Sequence, residues 1–130
     1  MRPPEEAVAR LIREAEVLFA NYVAQRRKGE LWKAGEYLWA TFHALLLALA
    51  RSLGEEVPAR HGAVRRFVLR LADIRGDEGL VRAFKDGERL HANFYHPGLL
   101  DDEEVLEAIL ELEEYVDKLV AWLEEASSSR

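Results

Sequence analysis

The sequence contains no cysteine, a single methionine, and only three side-chain amides, Asn21, Gln25 and Asn93. The first absence excludes a disulfide framework, thiolate catalysis and Cys-ligated zinc. Depletion of oxidisable and deamidating side chains beside abundant Glu, Arg, Leu and Ala fits a thermophile, and GC-rich coding bias produces a similar picture. Long apolar runs are missing as well. The longest, Leu38 to Ala50, spans 13 residues and is interrupted by Thr41 and His43. A bilayer-spanning helix needs about 20 apolar residues, so this run predicts a buried helix and no membrane association. The opening Met1-Arg2-Pro3-Pro4-Glu5-Glu6 lacks the apolar core of a secretion signal, and a cytoplasmic location is expected. Nothing alternates with period two over a useful length, which leaves no strand to support a sheet.

What remains is a chain of 130 residues, rich in charge and in helix formers. That length suits one domain, expected over residues 1–126, with 127–130 as a frayed tail. The net charge of −6 conceals an asymmetry: residues 101–126 carry eleven acids against Lys118 alone, and the remainder of the chain is net positive. Residues 58–75 concentrate that excess in Arg60, Arg65, Arg66, Arg70 and Arg75 against Asp73. One basic and one acidic helix can pair within a subunit or between subunits, or present separate faces, and a charged helix is most often a solvated surface.

The spacing of apolar residues predicts five helices. Val8, Leu11, Ile12, Ala15, Leu18, Phe19, Tyr22 and Val23 recur at three and four, between the Pro3-Pro4 start and a stop at Arg26-Arg27-Lys28-Gly29. A second helix, about Glu30 to Leu53, has one stripe of Leu31, Ala34, Leu38, Phe42, Leu45 and Leu49. Beside that stripe lies another strip of Trp32, Trp39, Leu46 and Ala50, an arc wide enough to be touched from two directions. A shorter third helix is expected at about 63–74 and a fourth at about 78–95, the latter stopped by Pro97-Gly98. The fifth begins with Asp101 or Asp102 as N-cap. Its seam of Val105, Ile109, Leu112, Val116, Leu119 and Leu123 steps four and three like a coiled coil. The fold class predicted is therefore all-α: an antiparallel bundle of four main helices plus one shorter helix.

Two segments carry a family resemblance: Gly29-Glu30-Leu31-Trp32-Lys33-Ala34-Gly35-Glu36-Tyr37-Leu38-Trp39-Ala40 and, more specifically, Glu88-Arg89-Leu90-His91-Ala92-Asn93-Phe94-Tyr95. With the acidic helix that follows, the order of features from Gly29 to Leu123 resembles the archaeal PaREP1 family, a branch of the HEPN-like helical proteins. Many HEPN relatives are ribonucleases built on an arginine, four to six intervening residues and a histidine. Others are non-catalytic partners of nucleotidyltransferases or of defence systems. Carried onto this chain, the resemblance implies Arg89 and His96 as the catalytic pair, with Leu90 departing from the polar residue of the tight motif.

The candidate residues admit plainer readings beside the functional ones. His91 falls on the apolar stripe of the fourth helix with Leu80, Phe84 and Gly87, where a core histidine bonded to a neighbouring helix is expected. Gly87 on that stripe implies close approach of another helix. Arg89, Asn93 and His96 are expected on the opposite face with Arg82 and Lys85, either as a solvated basic face or as a phosphate-binding site. No pair among His43, His61, His91 and His96 has the i, i+4 spacing of a helical zinc motif, so neither metal nor cofactor is expected. Trp32, Trp39 and Leu46 are the candidate interface of a homodimer. These expectations lead to a dimeric interaction or binding module. A metal-independent ribonuclease and an antitoxin-like, substrate-binding partner of a nucleotidyltransferase are the alternatives, with RNA or another protein as partner.

Overall fold

The computed structural model describes residues 3–128, and these described residues form five helices and no strand. They are α1 (Pro3–Arg27), α2 (Leu31–Ser52), α3 (His61–Arg75), α4 (Gly79–Tyr95) and α5 (Asp102–Ser128). The all-α expectation holds, and α3 is the short member. The tail is helical through Ser128, so α5 outlasts its expected end at 126; the fraying expected of residues 129 and 130 falls outside the described residues.

Local chemistry sets the boundaries. The first three helices stop in the same way: the amides of Glu30, Glu55 and Asp77 reach back to the carbonyls of Gln25, Ala50 and Ala72, with Gly29, Gly54 and Gly76 at positive φ between them. A side chain would oppose that left-handed geometry, which is why glycine marks all three stops. The fourth helix ends differently, in a turn over His96-Pro97-Gly98-Leu99 closed by the Leu99 amide on the His96 carbonyl. At the start of α5, Asp101 rather than Asp102 is the cap. Its Oδ1 accepts from the Glu104 amide at 2.8 Å while its own amide donates to Glu104 Oε1 at 3.1 Å, a reciprocal capping box.

α2 is the hub, packed against each of the other four helices. Most of both apolar strips is consumed inside the chain: Leu38, Phe42, Leu45 and Leu49 are buried, and so are Trp39 and Leu46, at 6% and 0% exposure. The expectation that Trp39 and Leu46 are free to form a dimer interface is corrected by that burial. Trp39 packs on Phe84 of α4 with ring centroids 5.5 Å apart, so α4 occupies the direction assigned to a second copy. Trp32 keeps 37% exposure and stacks on Phe94 at 5.2 Å. The predicted seam of α5, from Val105 to Leu123, is buried throughout.

α1 is placed differently from the rest. It packs on α2 and has no close backbone approach to α5 or α4. It therefore lies as a ridge along α2 with a groove on either flank, one toward α5 and one toward α4.

Candidate functional site

Three regions carry chemistry: the outer face of α4, the groove between α1 and α4, and the groove between α1 and α5. On α4, Arg82, Lys85, Arg89 and His96 are exposed as expected. Arg89 is engaged, its guanidinium 3.4 Å from Asp86 and 3.4 Å from Glu104 at the start of α5. His96 ends the helix, its amide donating to the Ala92 carbonyl. Among the described residues no hydrogen bond joins Arg89 to His96. Burial holds the Asp86 carboxyl above its usual range, opposed by the adjacent Arg89 charge.

Asn93 does not belong to that face. It is 2% exposed, and its Oδ1 accepts from the Leu100 amide at 2.9 Å, pinning the turn after α4 to the helix. The expectation of an outward Asn93 fails because α5 packs along that flank of α4, widening its buried arc beyond the stripe of Leu80, Phe84 and Gly87.

The groove toward α4 encloses about 620 Å³ and is lined by Glu14, Glu36, Trp39, His43, His61 and His91 among others. His91 bonds a neighbouring helix as expected, through Nδ1 to Glu36 Oε1 at 2.8 Å. It is not a core residue, because its side chain keeps 44% exposure opposite a carboxylate. His61 contacts Glu88 in the same way, tying the start of α3 to α4. Burial pushes the Glu36 carboxyl up, partly offset by His91. Burial also lowers His43, assisted by repulsion from His61 and His91, so its imidazole stays neutral to lower pH than usual. The groove thus offers two carboxylate-oriented imidazoles and a third held neutral. Its lining includes no Lys or Arg to balance a phosphate. No three His, Asp or Glu side chains among the described residues stand close enough to share a metal ion.

The groove toward α5 is apolar. It encloses about 340 Å³, with Ile12, Ala15 and Phe19 on one wall, Val116 and Val120 on the other, and Leu45 in its floor. Glu16 and Asp117 stand on its two sides. One end is closed by a polar cluster: Tyr22 donates to Glu113 Oε2 at 2.6 Å, and Arg26 donates to both at 2.7 and 2.8 Å. That cluster holds the Tyr22 hydroxyl well above its usual range, burial being the first cause and the Glu113 carboxylate the second. Beyond it, Leu106 and Leu110 continue the same side of α5 and remain 37% and 52% exposed. Sequence periodicity did not find this groove. Phe19 belongs to the apolar stripe of α1, while Val120 and Leu110 fall off the seam of α5 and carry no signal of their own.

Helical caps, a single hub helix and a ridge flanked by two grooves define an all-α bundle with no spanning segment: no described helix is long and apolar enough to cross a membrane. The model of the archaeal PaREP1/PaREP8 family matches residues 9–120, and the chain belongs to that family. No curated protein and no solved structure matches it.

Proposed function

We propose that this PaREP1/PaREP8 protein is an interaction module whose contact surface is the groove between α1 and α5. The observation that carries this reading is apolar surface left uncovered: Phe19 at 36% and Val120 at 41% exposure over a floor of Leu45, continued past the polar cluster by Leu110 at 52%. Two helices resting on a third, joined at one end by the Tyr22–Arg26–Glu113 cluster and with no close backbone approach, leave the space into which an amphipathic helix lays its apolar face. The acids on both sides favour a helix with basic flanks.

The chemical groups elsewhere support a binding role more than catalysis. Arg89 already bridges two carboxylates, Asn93 is spent on a turn, and the histidine groove lacks a cation for phosphate. A ribonuclease of HEPN type through Arg89 and His96 remains the competing reading, favoured by the exposure of both side chains at one end of α4.

The reading is tested with a fluorescent, 18-residue model helix of leucine and lysine, its leucines at helical spacing. Binding to the wild type, and at least tenfold weaker binding to Phe19→Asn/Val120→Asn with an unchanged melting temperature, is the expected result. Equal binding to both proteins, or a wild type that is monomeric and binds no helix at hundreds of micromolar, would overturn it.

A further inference from the structure

The occupant of this groove can be read from α1 itself. At 100° per residue, Arg10, Arg13, Val17, Ala20, Ala24 and Arg27 share one face of the helix. All six are exposed, and Val17, midway along, is 63% exposed. This crest points away from α2, whose contact is made through Ala15 and Tyr22 on the opposite side. It combines small apolar residues, which permit close helix approach, with basic residues at both ends.

We infer that the occupant is a second copy of this chain, the crest of α1 in each protomer seating in the α1–α5 groove of its partner. The inference rests on the reading of the groove as a contact surface and adds the identity of what fills it. The charges are complementary: the crest brings Arg10 and Arg13 toward a groove whose sides carry Glu16 and Asp117. The apolar parts match as well, since Val17, Ala20 and Ala24 are the residues a groove lined by Ile12, Phe19 and Val120 would accept. Because crest and groove lie on one helix and its flank, a two-fold axis satisfies both contacts at once. The pair is then isologous and closed, with no surface left to propagate a filament.

α5 argues against the other two-fold arrangement. Pairing α5 with α5 would bring together helices that carry eleven acids and one lysine between residues 101 and 126. Such a contact is repulsive and leaves the basic crest of α1 unused.

Sedimentation equilibrium from 1 to 100 µM tests this in two arms. The wild type is expected as a dimer, with Val17→Asp raising the dissociation constant at least tenfold. In the second arm, one protein carries Glu16→Arg/Asp117→Arg and another Arg10→Glu/Arg13→Glu. Each has crest and groove of like charge and is expected to be monomeric alone. Mixed, each crest meets a groove of opposite charge, and a heterodimer should form. A monomeric wild type at 100 µM, or dimers that persist in both charge-reversed proteins alone, would overturn the inference. If the wild type is monomeric yet binds the leucine–lysine helix, the groove is a contact surface for a different chain. If it does neither, both readings fall.

Discussion

Gly87 on α4 lies against the indole of Trp39 on α2, so close that a methyl group at position 87 would occupy the space of the ring. The contact fixes the distance between the hub helix and its neighbour. It also explains why a bulky aromatic and a residue without a side chain meet at one level of the bundle.

Gly87→Ala is accordingly expected to destabilise the fold by about 1–3 kcal/mol, the range for overpacking a tight interior. The alanine would otherwise favour the helix by about 0.5–1 kcal/mol, so a net loss isolates the clash. Chemical denaturation of Gly87→Ala, Trp39→Leu and the double variant checks it. The double variant should lose less than the sum of the two, because the smaller side chain at 39 makes room. Simple additivity would show that the contact is not what limits position 87.

Asn93 is predicted to be a structural residue. Removing its acceptor in Asn93→Ala leaves the Leu100 amide without its partner, a change expected to cost about 1–3 kcal/mol. Amide exchange at Leu100 should accelerate in that variant. Arg82→Ala and Lys85→Ala, on the exposed side of the same helix, should stay within about 0.5 kcal/mol of the wild type. Wild-type stability in Asn93→Ala would remove the assigned role.

His43 makes stability depend on pH. Its folded-state value lies below the ordinary 6.5, through burial and the nearby His61 and His91. The unfolded chain therefore takes up the proton first on acidification. The contribution is fully present above pH 6.5 and is lost as the pH falls through the folded value. Glu36 works in the opposite sense at lower pH. Raised above 4.5 by burial, it contributes below that value and loses its contribution as the pH rises. Melting temperatures at pH 8 and 5.5 should differ more for the wild type than for His43→Gln. An equal drop in both proteins would assign the dependence elsewhere.

Single-stranded RNA in EDTA distinguishes the module from the metal-independent nuclease. The wild type is expected to leave the RNA intact. Cleavage that is lost in both Arg89→Ala and His96→Ala, with unchanged melting, would reverse the functional reading. Arg89 would then have to leave Asp86 and Glu104 to reach a phosphate, and neutralising Glu104 in Glu104→Gln should raise the rate.

A buried position constrains hydrophobic period strongly, and that is why Val105 to Leu123 and Leu38 to Leu49 announced their burial from spacing alone. Caps are equally local, so Gly29, Gly54, Gly76 and the acids at 101–104 fixed where helices stop and start to within a few residues. Spacing along one helix also foretold the close approach at Gly87 and a partner on a neighbouring helix for His91. It could not say that the partner is Glu36, nor that the site stays half open. Those depend on which helix comes alongside and at what height.

The same limit governed the misplaced residues. Periodicity counts how wide an apolar face is and says nothing of what covers it, so Trp39 and Leu46 were assigned to a second copy when α4 and the rest of the chain enclose them. Asn93 lies off the single apolar stripe of α4 and is buried because that helix packs on two sides. The ridge of α1, the histidine groove and the apolar groove toward α5 arise from helices far apart in sequence. By itself the sequence determined the helices, their ends, the core seam and the family signature, since these rest on contacts within a few residues. Only the tertiary structure decided which faces remain uncovered, because exposure is a property of the packed arrangement and not of any one helix.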